Sequence, residues 1–362
     1  MSESSKYFAN SYLKARSLFT ESCASAATRV ESWQNPLRGA QGEKLYTDVA
    51  WFGDMEATKV LVLVSGTHGV EGFCGSGIQT KTIARGWYQQ ADSDVGILMI
   101  HGINPFGMAW IRRVNEDGVD LNRNFINFGQ SLPENKLYDD LADVIVPSTW
   151  TEAIVTQTLN QIVEYLSTSQ YEINDLAMGQ YKYWYAPFYG GEVPTWSNRT
   201  FRKIVRKYLK NKQAVGLIDF HTGLGKVGTG QLISDVSTSK NVQSLTPQAI
   251  WGEKVAIAGT AESVASYSPQ GTLITGLDDE LPKTLCIAAA YEFGTVSEIE
   301  VFNALRADHW LHAYGDLYSP TALKIKQDLL NAFYSDRSSW QDTVCELAFT
   351  AQTELYQGLK SL

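Results

Sequence analysis

Three side chains in two short segments carry the most telling chemistry of this sequence. His68 and Glu71 lie in Ser65-Gly66-Thr67-His68-Gly69-Val70-Glu71-Gly72, and His221 closes Asp219-Phe220-His221. Each segment follows an apolar run, residues 60–64 in the first case and 215–218 in the second. Short apolar runs of this kind read as buried strands. His, Glu and His therefore arrive at strand ends, where open α/β sheets place their ligand sites. Imidazole and carboxylate together are ordinary zinc ligands, and three of them leave a fourth position for water, the pattern of a catalytic zinc. One Zn2+ per chain is expected. An isolated His-x-x-Glu spacing or a lone His after a strand would read as a solvated loop or a satisfied structural residue; their joint placement argues otherwise.

Further chemistry-bearing residues follow in Glu116-Asp117-Gly118-Val119-Asp120-Leu121-Asn122-Arg123-Asn124-Phe125, preceded by the adjacent pair Arg112 and Arg113, and in Tyr291-Glu292-Phe293-Gly294. With these segments in view, the chain resembles the zinc carboxypeptidases of the peptidase M14 superfamily, and within it the DUF2817-like, carboxypeptidase-related branch. The resemblance rests on four motifs in one order, centred on His68 and Glu71, on Asp120 to Asn124, on Asp219 to Gly223, and on Tyr291 to Gly294. It implies that His68, Glu71 and His221 bind the metal and that Asp120 orients the first His from behind. It implies that Glu292 moves a proton from water to the leaving amine, that Arg113 supports the oxyanion, and that Asn122 and Arg123 hold a substrate carboxylate. These types suit those tasks: a carboxylate near a metal shuttles protons, a fixed cation stabilises developing negative charge, and arginine grips a carboxylate bidentately. Either Arg112 or Arg113 could face the oxyanion. The superfamily's mobile substrate tyrosine has no secure match; Tyr267 lies in the corresponding interval. The implied activity is hydrolysis of an amide next to a free carboxylate, on a peptide or, in the alternative, an N-acyl amino acid. A non-catalytic zinc-binding module is the remaining reading.

The elements that must position these residues can be traced along the chain. Residues 11–33 read as an amphipathic helix, 45–52 and 60–64 as strands, 75–85 as a helix, and 97–101 as a strand. Residues 107–128 read as loop, 148–166 and 199–209 as helices, 215–220, 231–234 and 285–291 as strands, and 297–362 as mostly helix. Strands alternating with helices predict a three-layer α/β/α fold with a central mixed, mainly parallel sheet. No linker or repeat divides the 362 residues, so residues 1–362 read as a single metallocarboxypeptidase-like domain. An aromatic-rich insertion is placed at about 128–200, with Tyr181, Tyr183, Trp184, Tyr185, Phe188, Tyr189 and Trp196. Such aromatics suit either a substrate wall or ordinary subdomain packing.

A net charge of −9 argues against a nucleic-acid partner. The N-terminal residues show no apolar signal region, no run is long enough to cross a membrane, and four isolated cysteines suit a reducing, cytoplasmic setting. Three decoys are set aside. Gly223 to Gly228 spells GxGxxG but precedes a predicted strand rather than a helix. Ser76 lacks the first glycine of a nucleophile elbow. His309 and His312 share a helix face but show no partner ligand in the sequence.

Overall fold

The computed structural model describes residues 4–235 and 246–362; residues 1–3, where the N-terminal reading begins, lie outside it. Its centre is an eight-stranded sheet of β1 (Val30–Arg38), β2 (Lys44–Phe52), β3 (Lys59–Ser65), β4 (Val95–His101), β5 (Ala214–Val227), β6 (Gly230–Ser234), β7 (Val255–Ile257) and β8 (Leu285–Gly294). The spatial order is β1-β2-β4-β3-β5-β8-β6-β7. The four central strands β4, β3, β5 and β8 run parallel, with antiparallel pairings toward both edges. This is the mixed, mainly parallel sheet expected from sequence.

Every residue of β3 and of β4 is buried, which explains their uninterrupted apolar sequences. Side chains alternate between the sheet faces. Leu61 and Leu63 join the larger core with helices α1 (Tyr12–Ser25), α2 (Gly72–Ala84) and α11 (Ser338–Lys360). Val60, Val62 and Val64 enter a second core with α6 (Trp196–Tyr208) and α8 (Leu273–Glu280). Helices thus cover both faces, giving the three layers. The remaining helices are α3 (Pro105–Ala109), α4 (Leu137–Ile145), α5 (Glu152–Thr168), α7 (Pro247–Trp251), α9 (Glu298–Tyr314) and α10 (Pro320–Phe333).

Several sequence expectations need correction. The first helix ends at Ser25, not near 33, and the chain turns into β1. Residues 107–128 are not all loop: α3 ends inside them, and residues 121–123 form a 3-10 turn capped by Asp120. β5 continues through the GxGxxG segment and is followed by β6, so no helix offers a dinucleotide site there. β7 and α8 had no counterpart in the sequence reading. Residues 128–200 contain α4, α5 and a 3-10 segment before entering α6. Among the described residues no helix is long and apolar enough to cross a membrane.

Candidate active site

The parallel order of β3, β5 and β8 brings their C-terminal ends side by side. His221 on β5 is the register partner of Glu292 on β8, and Ser65, the last residue of β3, is that of Phe220. The turn after β3 begins at Gly66 with φ +78°, and runs so close to α3 that a Cβ at Gly69 would stand 2.0 Å from the Gly107 carbonyl carbon. Only glycine permits that approach. Backbone bonds from Gly69 N to Arg113 O and from Val70 N to Arg112 O then fix the turn against the arginine pair.

Among the described residues, His68, Glu71 and His221 form the one cluster with metal-ligand geometry, their ligand atoms all within 4.8 Å of one another. His68 Nδ1 is 2.9 Å from Glu71 Oε1, and His221 Nδ1 is 3.1 Å from both Glu71 Oε2 and His68 Nδ1. The other ring nitrogens face carboxylates: His68 Nε2 lies 2.9 Å from Asp120 Oδ1 and His221 Nε2 lies 2.7 Å from Asp219 Oδ2. A carboxylate only accepts, so each Nε2 carries a proton, and in the tautomer that fits a metal each ring turns a Nδ1 lone pair inward. Two lone pairs then converge, buried, on the Glu71 carboxylate, whose donors Arg113 Nη1 and Thr222 N leave the two Nδ1 atoms unserved. That arrangement demands a positive charge. A proton can supply it, since Asp219 and Glu71 outweigh burial and raise the His221 pKa well above its ordinary value. A divalent cation supplies it better, and the N, N, O donor set with carboxylates behind both rings fits zinc.

Around this cage the other candidates take distinct places. Arg113 donates from Nε to Asp120 Oδ2 at 3.1 Å and from Nη1 to Glu71 Oε1 at 2.8 Å. Arg112 donates instead to Asp308 Oδ2 at 2.8 Å, so of the two it is Arg113 that lies against the cage. Burial raises the Glu71 pKa, but His68 and Arg113 prevail and hold it below the usual carboxylate range. The same contest, with Arg113 and His68 as the opposing charges, leaves Asp120 well below that range. Glu292 differs: burial dominates and lifts it to about 8, and its Oε2 is buried with no hydrogen-bond partner among the described residues. Glu292, Arg113, Asn122 and Arg123 line one cavity together with His68 and Asp219, beside Leu224, Tyr267 and Ile274. Asn122 uses its oxygen to accept from Leu273 N. Arg123 is buried and donates to the backbone oxygens of Ala177 and Asn122.

All eight sequence candidates thus meet at one site. The sequence reading gave no role to Asp219, although its spacing two residues before His221 on a strand puts both side chains on one face. It also overlooked Thr67, whose hydroxyl donates to Asp219 at 2.8 and 2.9 Å, and the Thr222 amide, which donates to Glu71 Oε2 at 3.0 Å. Tyr267 sits with its ring 6.0 Å from the Arg123 guanidinium. His309 and His312 belong elsewhere. His309 approaches Tyr185 O and His312 approaches Lys326, and an acidic neighbour is present after all: Asp308, 3.7 Å from His312.

Solved structures share this architecture. Bovine thrombin-activatable fibrinolysis inhibitor, solved with tick carboxypeptidase inhibitor, matches at 11% identity over 98% of both chains, with a TM-score of 0.53. A second structure of thrombin-activatable fibrinolysis inhibitor matches at 12% identity over 97% of this chain and 75% of that one, with a TM-score of 0.52. At such identity the likeness establishes the fold, which is the carboxypeptidase-like α/β fold. No curated protein sequence matches. The family described as "Protein of unknown function (DUF2817)" matches residues 8–346, and the chain belongs to that family.

Proposed function

We propose that the chain is a zinc-dependent hydrolase that cleaves an amide bond next to a free carboxylate, in carboxypeptidase fashion. The observation that carries this reading is the shared cavity: a general-base candidate, Glu292, and three groups suited to bind anionic oxygen, Arg113, Asn122 and Arg123, line one cavity with His68 of the His-Glu-His cluster. His68, Glu71 and His221 would hold the zinc, whose bound form supplies a polarised carbonyl and a water of lowered pKa. Asp120 and Asp219 keep the two rings turned toward it. Glu292 takes the proton from water and hands it to the departing amine, and the second water proton follows, so that amide and water become carboxylate and ammonium. A pKa raised by burial suits the second half of that exchange. Arg113, whose Nη2 makes no hydrogen bond among the described residues, supports the negative charge on the carbonyl oxygen. The Asn122 amide nitrogen and the free N–H groups of Arg123 receive the substrate carboxylate.

Four buried free cysteines favour a reducing compartment, and we place the protein in the cytoplasm. We read residues 1–362 as one catalytic domain carrying the 128–200 segment as an insertion. The test is Glu292→Gln beside the wild type on N-blocked dipeptides and N-acyl amino acids. Zinc should remain at one per chain and turnover should vanish; full turnover in the variant would refute the mechanism. Hydrolysis of the N-acyl amino acids alone would assign the deacylase reading, and no hydrolysis by the wild type would assign a binding module.

A further inference from the structure

Phe188 is buried, yet its backbone sits at φ +59°. A bulky residue there is an outlier that persists only where its surroundings enforce it. What enforces it is the run that carries the site. Tyr181 donates its hydroxyl to Arg123 O at 2.6 Å, Asp120 N donates to Tyr189 O at 2.7 Å, and Asn124 Nδ2 donates to Gly190 O at 2.8 Å. Within the segment itself, Gln180 N donates to Phe188 O and Gly190 N to Gln180 O. Residues 180–190 are therefore a strap laced to residues 120–124.

The strap delivers the Phe188 ring to 5.5 Å from the Arg113 guanidinium and 5.7 Å from that of Arg123. Both lie within cation–π range. Among the described residues Arg123 forms no salt bridge; its hydrogen bonds go to backbone oxygens, two of them to Ala177 O. Arg113 is fixed by Asp120 and Glu71, and the Phe188 ring lies within reach of both cations, while the Tyr267 ring stands 6.0 Å from Arg123. The ring does not line the cavity. Arg113 and Arg123, which the ring approaches, do line it.

We infer that Phe188 is a positioning residue that sets Arg113 and Arg123 as a matched pair, so that one ligand bearing a carboxylate beside a carbonyl meets both cations together. This rests on the hydrolase reading above. It also gives the aromatic-rich segment a task at the site, beyond filling space.

The experiment uses zinc-loaded Glu292→Gln protein, so that ligands bind without turnover. Calorimetry compares N-benzoylglycyl-leucine with its C-terminal amide, at position 188 as Phe, Leu, Trp and pentafluorophenylalanine. Loss of the aromatic face should weaken the carboxylate ligand on the order of tenfold. The amide ligand should be little affected, and Trp should restore binding. The fluorinated residue keeps the ring shape, so it decides the matter if the Leu variant fails to fold. Equal affinity across the series, or equal losses for both ligands, would overturn the inference while leaving the hydrolase reading intact. A parent protein indifferent between carboxylate and amide would sink both, and is recognised by that indifference alone.

Discussion

Asp219 offers a quantitative test of how the cage is held. It is buried, accepts the Thr67 hydroxyl with both oxygens, and faces His221 Nε2 at 2.7 Å. In Asp219→Asn the remaining oxygen can still accept from Nε2–H while the new amide donates to Thr67, so the ring keeps its orientation and loses only the anionic partner. In Asp219→Ala the Nε2–H is left buried and unpaired, which costs about 1–3 kcal/mol, and the ring is free to turn Nδ1 away from Glu71. Loss of such an outer partner typically weakens metal binding about 10–100-fold. Asparagine should therefore lie near the lower figure and alanine near the upper, a separation of about 1.4 kcal/mol. Zinc affinity is read by competition with a chromophoric chelator at fixed pH, with melting temperature as a control for folding. An alanine variant within about twofold of wild type would refute the argument that the carboxylate behind His221 orients it.

Two further predictions concern groups outside the cage. Asp308 accepts from Arg112 at 2.8 Å and from Lys326 at 2.5 Å, so Asp308→Ala leaves the buried Arg112 and the half-buried Lys326 without their carboxylate and should cost about 3 kcal/mol in urea unfolding; a loss below about 1 kcal/mol would contradict the geometry. His101 is fully buried, with Phe19 stacked on its ring, and burial lowers its pKa to about 4. Unfolded, it takes up its proton near ~6.5, so its contribution is intact above that pH and is lost as pH falls from 6.5 through 4, about 3 kcal/mol in all. Stability of His101→Leu should fall less steeply than wild type across that window; parallel curves would refute the assignment.

The parts of the fold legible in the sequence were those with two-sided burial. β3 and β4 announce themselves as apolar runs, and parallel strands bring the loops at their C-terminal ends to one edge, so the metal-type residues could be grouped before any coordinates. The first helix was misjudged for a local reason. It closes with Thr28 N bonded to Cys23 O and Ala27 N to Ala24 O, with Ala27 at φ +54°. That closure ordinarily advertises itself with glycine, and here the residue is alanine. The strand after it, β1, is a largely exposed edge strand containing Pro36, with no clean alternation to read. At the site, Arg112 and Arg113 are the same residue type, and only distant Asp308 separates them. Phe188 is one aromatic among many in the sequence; its place comes from residues 180–190 folding back on Asp120 to Asn124.

The central claim is that His68, Glu71 and His221 form a zinc cage, and it is tested most directly by the metal content of purified wild-type protein beside His221→Ala. Elemental mass spectrometry should find about one zinc per wild-type chain and a large loss in the variant, as expected when one of three protein ligands is removed. Wild-type protein without zinc after purification in its presence, or a variant that keeps the metal, would contradict the account.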